Sequence, residues 1–318
     1  MSRLAVLALL CYNSTVTVQV FAKLNLTLNV EKKRGEFHPI DSVATSVDIY
    51  DTVSVAERSD KEVFVSGVDQ VETEQNSAYR AAKAFQRAFA THGVEISIEK
   101  GIPFGAGMGG SSADASAVIY CMCKLFNVDI HSVAVHNLCV SLGSDVNFML
   151  FGGLGRLQGK GDDVTFFNLK QPLYFVLTTF DVSMNSGAIY SAFDKICKYS
   201  VNNISQQPAK NSNQSKQLFE DSTNTKLLTL LEQGANKQAL PLFSNDLGQA
   251  AHATSNYAES YLDFCKEHSL RCNMTGSGSA YYVACVSLDE AEQVCKLLNA
   301  NGFTTTICQS VPSGIVEI

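Results

Sequence analysis

The chain reads as an α+β protein in two domains, on three observations. Its 318 residues exceed what a single hydrophobic core usually organises. Apolar residues alternate at Val16, Val18 and Val20, at Leu24, Leu26, Leu28 and Val30, and at Val94, Ile96 and Ile98, the period of strands with one buried face. The second half ends β-α-β: a strand from Tyr281 to Val286, a helix stripe of Ala291, Val294, Cys295 and Leu298 closed by Asn301-Gly302, and a strand from Thr304 to Cys308.

Each remaining element follows from local pattern. Lys32 to His38 is a charged turn ending in an aromatic–histidine pair, and Ile40 to Val53 continues as strand. Ala78 to His92 has helical periodicity, and the strand through Ile98 runs into Ile102-Pro103-Phe104-Gly105-Ala106-Gly107-Met108-Gly109-Gly110-Ser111-Ser112-Ala113-Asp114. Four glycines there permit positive φ and close approach of backbone to a ligand. Ala115, Val118, Ile119, Met122, Leu125 and Phe126 then form one buried helix stripe, and Ser111 with Asp114 has the S-x-x-D spacing of an N-terminal cap. Leu138 to Leu142 ends another helix at Gly143, and glycines from Gly152 to Gly161 punctuate a hairpin. Leu173 to Leu177 is a buried strand. Ser200 to Asn224, rich in Asn, Ser, Gln and Lys without periodicity, reads as a flexible surface insertion. Asn245-Asp246-Leu247 opens a helix, and Thr275 to Ser279 is a glycine turn.

A glycine-rich loop entering a helix N-terminus is a phosphate site, because the first helical N–H groups are unpaired and lie at the positive end of the dipole. A Walker loop is excluded, since no lysine follows Gly110. Gly105 to Gly110 satisfies G-x-G-x-x-G, with Asp129 about twenty residues on, as a dinucleotide fold requires. Asp129 would, however, follow the helix directly rather than end a second strand, and the serine pair has no role there.

Composition narrows the function. Hydrophobic residues make up 46% and charged residues 17% of the chain, and the net charge is −7 with no offsetting basic cluster, which argues against nucleic acid. The ten cysteines include no C-x-x-C pair, so buried reduced thiols are expected rather than zinc or a disulfide framework. Arg3 followed by apolar Leu4 to Cys11 has the outline of a short signal peptide, but without a convincing cleavage site. The sequons include Asn13, Asn25 and Asn273, of which two fall inside predicted strands. A cytoplasmic protein with a short N-terminal extension and no membrane association is the expectation.

The string P-x-G-x-G-M-G-G-S-S-A-D-A-S from Pro103 resembles the ATP-binding loop of the GHMP kinases, the superfamily of galactokinase, homoserine kinase, mevalonate kinase and phosphomevalonate kinase. Phe21-Ala22-Lys23-Leu24-Asn25-Leu26 resembles its P-A-K-[IL]-N-L segment, and Gly143-Ser144-Asp145-Val146-Asn147-Phe148 its G-[AS]-D-V-P-F. Phe37-His38, Asp48-Ile49-Tyr50-Asp51, Ser186 to Tyr190, Asn245-Asp246-Leu247 and Thr275 to Ser279 match further segments in order. Within the superfamily these are most similar to the branch whose acceptor is 4-diphosphocytidyl-2-C-methyl-D-erythritol, an alcohol of non-mevalonate isoprenoid (terpenoid) biosynthesis. Phe21, Glu36, Asn147 and Gly248 depart from the pattern.

The resemblance implies a two-domain GHMP kinase fold. A ribosomal-protein-S5-domain-2-like α/β domain would cover residues 1–165, and a ferredoxin-like α+β domain residues 166–318 with the polar insertion near 200–224. It implies ATP held by Pro103, Gly105, Gly107, Gly109, Gly110, Ser111 and Ser112, with Mg²⁺ aided by Ser112. Asp145 becomes the catalytic base and Lys23 its partner, while Asn25, Phe37, His38 and Tyr190 bind the acceptor. A monomer or homodimer acting on a small molecule is implied. A kinase for mevalonate or homoserine, and a non-catalytic nucleotide or ligand sensor on the same fold, are the alternatives.

Overall fold

A computed structural model of the chain describes residues 14–68, 71–201 and 222–318. The apolar segment from Leu4, the sequon at Asn13 and most of the polar stretch expected as an insertion lie outside the described residues.

The first half is built on β1 (Thr15–Val30) and β2 (Ile40–Glu57), paired antiparallel from Thr15 opposite Ala56 to Val30 opposite Ile40. The two alternating runs read as strands; β1 instead runs unbroken through both. Its register shifts between Phe21 and Ala22 and again between Asn25 and Thr27. Every residue from Val20 to Leu28 is buried, Lys23 included. Val20, Ala22, Leu24 and Leu26 keep their alternation into one core, so Lys23 lies on the opposite side of β1, where the glycine loop covers it and the Met108 carbonyl accepts its N–H at 3.0 Å.

β2 also pairs with β4 (Val94–Glu99) and β5 (Leu154–Gly159); β3 (Val63–Ser66) lies along β4, and β6 (Asp163–Phe167) closes the hairpin with β5. Against this sheet lie α1 (Ser77–Phe89), α2 (Gly110–Leu125), α3 (Val133–Leu142) and α4 (Val146–Phe151). α2 is buried on almost all sides, from Ala113 to Ile119 and Cys121 to Cys123, which is why its apolar residues overflow one stripe.

The second half contributes β7 (Tyr174–Thr178), β8 (Ser244–Asn245), β9 (Cys272–Met274), β10 (Tyr281–Cys285), β11 (Thr305–Val311) and β12 (Ile315–Glu317), with α5 (Ser186–Val201) and further helices. The sheet order β12-β1-β2-β11-β7-β10-β9 joins the halves through β11, whose Ser310 and Val311 pair with Val47 and Ser46 of β2. β12 returns to β1, so the last strand completes the sheet of the first half. One core surrounds α2; a second gathers Ile189, Leu247, Tyr261, Tyr281 and Leu298. The architecture is α+β.

Several local expectations are corrected. Ser111 is not the cap of α2: Gly109 is, at φ +79°, and no side chain bonds the first-turn amides. Asp114 turns instead to Lys100. α1 ends at Phe89 because Ala90 takes a left-handed conformation, leaving His92 outside the helix. α4 and β3 are too short for periodicity to reveal. Asn245 lies in β8, paired with β1, and the helix there starts at Gly248. Ser222 and Asn224 belong to ordered structure: Ser222 caps the helix Thr223–Glu232, and buried Asn224 accepts from Thr27 Oγ1 at 2.7 Å and donates to the Asp41 carbonyl at 3.0 Å. Among the described residues no helix is long and apolar enough to cross a membrane.

Candidate active site

A cleft of about 690 Å³ lies where the glycine loop, β1, the α3–α4 junction and the turn before β10 converge. The loop is held on its far side by that turn. Ala280 N–H donates to the Ala106 carbonyl at 3.2 Å and Thr275 Oγ1 to the Gly107 carbonyl at 3.3 Å, while Lys23 N–H donates to the Met108 carbonyl at 3.0 Å. Gly107 must be glycine, since its φ is +76° and a Cβ would stand 2.4 Å from the Thr275 carbonyl oxygen. The loop thus delivers the uncapped N-terminus of α2 to the cleft, where an anion can take the N–H groups that the helix leaves unpaired. Pro103, Gly105, Gly107, Gly109, Gly110, Ser111 and Ser112 all line the cleft.

Beside this N-terminus stands a cation–carboxylate pair. Lys23 Nζ is 3.3 Å from Asp145 Oδ2, with the side chains 7% and 29% exposed. The lysine stem is close to the loop, since a Cβ on Gly109 would come within 3.2 Å of Lys23 Cγ. Asp145 precedes α4, yet its side chain caps nothing there, which leaves the carboxylate to Lys23 and to the cleft. Asn25 is placed behind this pair. Its Oδ1 accepts from Lys23 Nζ at 2.6 Å and from Gly276 N–H at 3.0 Å, and its Nδ2 donates to Ser42 Oγ at 2.8 Å. Through these bonds Asn25, itself on the cleft wall, fixes the ammonium.

At the other end Tyr190, on α5, lines the cleft and stacks on His38 with ring centroids 5.2 Å apart. Burial, with the Asp145 charge nearby, pushes the Tyr190 hydroxyl up to about 12. His38 Nδ1 lies 3.0 Å from the Glu31 carbonyl, which can only accept, so that nitrogen carries a proton; Nε2 lies 3.5 Å from Asp194 Oδ1. Phe37 is half turned to solvent under Lys160, whose Nζ is 4.8 Å from the ring centroid. The structure therefore gathers Lys23, Asp145, the glycine loop and Tyr190 around one cavity, with His38 behind Tyr190 and Phe37 outside the lining, beneath Lys160.

Sequence reasoning missed four contributors. Lys160 lines the cleft from a turn between two glycines, a spacing that could have marked it. Asp194 sits four residues after Tyr190, on the same helix face. The Thr275–Ser279 turn was seen as a motif but not as the loop's support. Lys100 bridges Asp51 and Asp114 beneath the loop, which no spacing announces.

Comparison with known proteins adds to this geometry. A family model, "GHMP kinases N terminal domain", matches residues 76–153, from the start of α1 through the glycine loop and Asp145. The 4-diphosphocytidyl-2-C-methyl-D-erythritol kinase of Chlorobium phaeovibrioides is 28% identical over 297 residues, 92% of this chain and 95% of that protein. The enzyme of the same name from Chlorobaculum tepidum is 32% identical over 182 residues, 56% of this chain and 64% of its own length. A crystal structure of 4-(cytidine 5'-diphospho)-2C-methyl-D-erythritol kinase superposes with a TM-score of 0.71 at 23% identity, covering 93% of this chain and 99% of that one, a likeness of fold.

Proposed function

We propose that this chain, which belongs to the GHMP kinases, transfers the γ-phosphoryl group of ATP to a hydroxyl of 4-diphosphocytidyl-2-C-methyl-D-erythritol, a step of isoprenoid biosynthesis. The observation that carries the reading is the Lys23–Asp145 pair standing beside the open N-terminus of α2.

Phosphoryl transfer asks the protein mainly to position reactants and to neutralise charge. The amides at the start of α2 and the loop from Pro103 to Ser112 take the donor's phosphates. Asp145 accepts the proton of the attacking hydroxyl, a base with no competing cap to satisfy. Lys23, fixed by Asn25, steadies that carboxylate and the negative charge growing on the attacking oxygen. Tyr190, with His38 at its back and Phe37 beneath Lys160, holds the cytosine, and Lys160 lends a cation near the acceptor's diphosphate. The described residues contain no cluster of three acidic, histidine or cysteine side chains that would hold a metal alone. Mg²⁺ takes phosphate oxygens and water readily, and Ser112 Oγ has room beside it because Gly143, whose Cβ would lie 3.9 Å away, has no side chain. Ser112 and the donor phosphates would hold the ion, which supplies charge neutralisation. A cytoplasmic monomer or homodimer fits this role.

Phosphorus NMR tests the reading. ATP, Mg²⁺ and the diphosphocytidyl alcohol should give ADP and one new phosphomonoester signal on the alcohol. ATP left intact with every alcohol offered would leave a sensor of nucleotide or ligand as the correct description.

A further inference from the structure

Beneath the glycine loop lies a charged cluster to which the transfer mechanism assigns nothing. Lys100 follows β4 directly, at the loop's entry, and Asp114 is in the first turns of α2, at its exit. Lys100 Nζ donates to Asp51 Oδ2 at 2.5 Å and to Asp114 Oδ2 at 2.9 Å, so one ammonium joins both stems to β2. Asp51 is fully buried, and its other oxygen accepts from Gly101 N–H and Ile102 N–H, each at 2.8 Å. Asp114 is nearly as buried, and its Oδ1 has no hydrogen-bond partner. A Cβ on Gly110 would stand 3.7 Å from Lys100 Nζ, which puts the cluster against the first residue of α2.

We propose that Asp51, Lys100 and Asp114 form an ionic brace across the two stems of the glycine loop, and that these positioning residues set the affinity for ATP without touching the reacting atoms. The proposal rests on the kinase reading above. Buried ion pairs rarely add stability over well-packed apolar residues of the same volume, so a brace serving the fold alone would gain nothing from three charges. What charge does provide is direction: the bonds fix where the chain leaves β4 and where α2 begins, and between those points lie the amides that meet phosphate. An unbraced loop must lose its conformational freedom on binding, a cost taken from affinity. Asp114 and Lys100 also line the donor cleft, where the imbalance of two carboxylates against one ammonium is felt by an entering polyanion. Burial pushes the Asp114 carboxyl up to about 7 although Lys100 opposes the shift, so this imbalance is smaller at neutral pH than the count of groups implies.

The test is steady-state and single-turnover kinetics with ATP calorimetry on wild type, Lys100→Met, Lys100→Arg and Asp114→Asn. Lys100→Met should raise Kd and KM for ATP at least about tenfold, with KM for the acceptor and the transfer rate at saturating ATP within about threefold of wild type. Lys100→Arg keeps a cation between the carboxylates and should recover most of the loss. Asp114→Asn keeps the shape and an acceptor for Lys100, so it should fold even where Lys100→Met does not, and should weaken ATP binding by about threefold or more. Unchanged ATP affinity in Lys100→Met and Asp114→Asn overturns the brace, as does a rise in both KM values together with a comparable fall in the transfer rate, or arginine no better than methionine. A wild type without ATP turnover overturns the kinase reading and the brace together.

Discussion

Asp145→Asn removes the acceptor for the hydroxyl's proton while keeping the side chain's shape, and Lys23→Met removes the ammonium 3.3 Å away. At that distance two unit charges attract by roughly 5 kcal/mol at an effective dielectric near 20. Desolvation of a lysine 7% exposed offsets part of this. The net coupling should be about 3 kcal/mol, the upper end for contacting residues. General-base assistance typically contributes about 10²–10⁴-fold, so each single variant should lose about that factor in kcat with both substrates still bound. Independent losses of about a thousandfold each would multiply to about a millionfold. A coupling of about 3 kcal/mol cuts the double variant's loss to about ten-thousandfold, because the two side chains act as a unit. Single-turnover phosphorylation with preformed complexes of wild type, both single variants and the double supplies the four rates. Full kcat in Asp145→Asn, or losses that simply multiply, would refute the reasoning.

Three further outcomes follow. Gly109 has φ +79°, and a Cβ there would press on Lys23 Cγ and Met149 Cε at 3.2 and 3.3 Å, so Gly109→Val should abolish ATP binding. Calorimetry on protein whose circular dichroism is native decides it, and undiminished affinity would remove the loop from the donor site. Tyr190→Ala gives up stacking worth roughly 1–3 kcal/mol and should raise KM for the cytidyl acceptor about tenfold, with KM for ATP unchanged; equal changes in both would contradict a base-binding role. Asp114, ordinarily near 3.8, is held up to about 7 in the folded protein, so its contribution to stability is full below pH ~4 and is lost as pH rises through 7. The wild-type melting temperature should therefore fall relative to Asp114→Asn between pH 5 and 8, and a constant difference would contradict the assigned burial.

How much of this was legible in the sequence depended on the range of the signal. The glycine loop, α2 and the strand pairs are local patterns, and they appear where periodicity and turn chemistry put them. The cap of α2 was misread because Ser111 and Asp114 satisfy a spacing rule, whereas the left-handed Gly109 starts the helix and Lys100 claims Asp114. Alternation puts Lys23 on the side of β1 away from the core of Val20, Ala22, Leu24 and Leu26, and it is buried there only because the glycine loop and the Thr275 turn, distant in sequence, cover that side. Asn25 was assigned to the acceptor by resemblance; it lines the cleft, and its amide also bonds Lys23, Ser42 and Gly276, partners 2, 17 and 251 residues away that no local pattern announces. Asn224 looked like part of a polar surface insertion, yet its side chain is buried against β1 and β2 through bonds that composition cannot reveal.

In the proposed function, the donor loop, the Lys23–Asp145 pair and the Tyr190 end of one cleft together phosphorylate an alcohol carrying cytosine. The most direct test of this is the ratio of kcat/KM values, with ATP as donor, for 4-diphosphocytidyl-2-C-methyl-D-erythritol against mevalonate and homoserine. Base stacking of roughly 1–3 kcal/mol per contact predicts a preference for the cytidyl alcohol of about a hundredfold or more. Faster turnover of mevalonate or homoserine would contradict it.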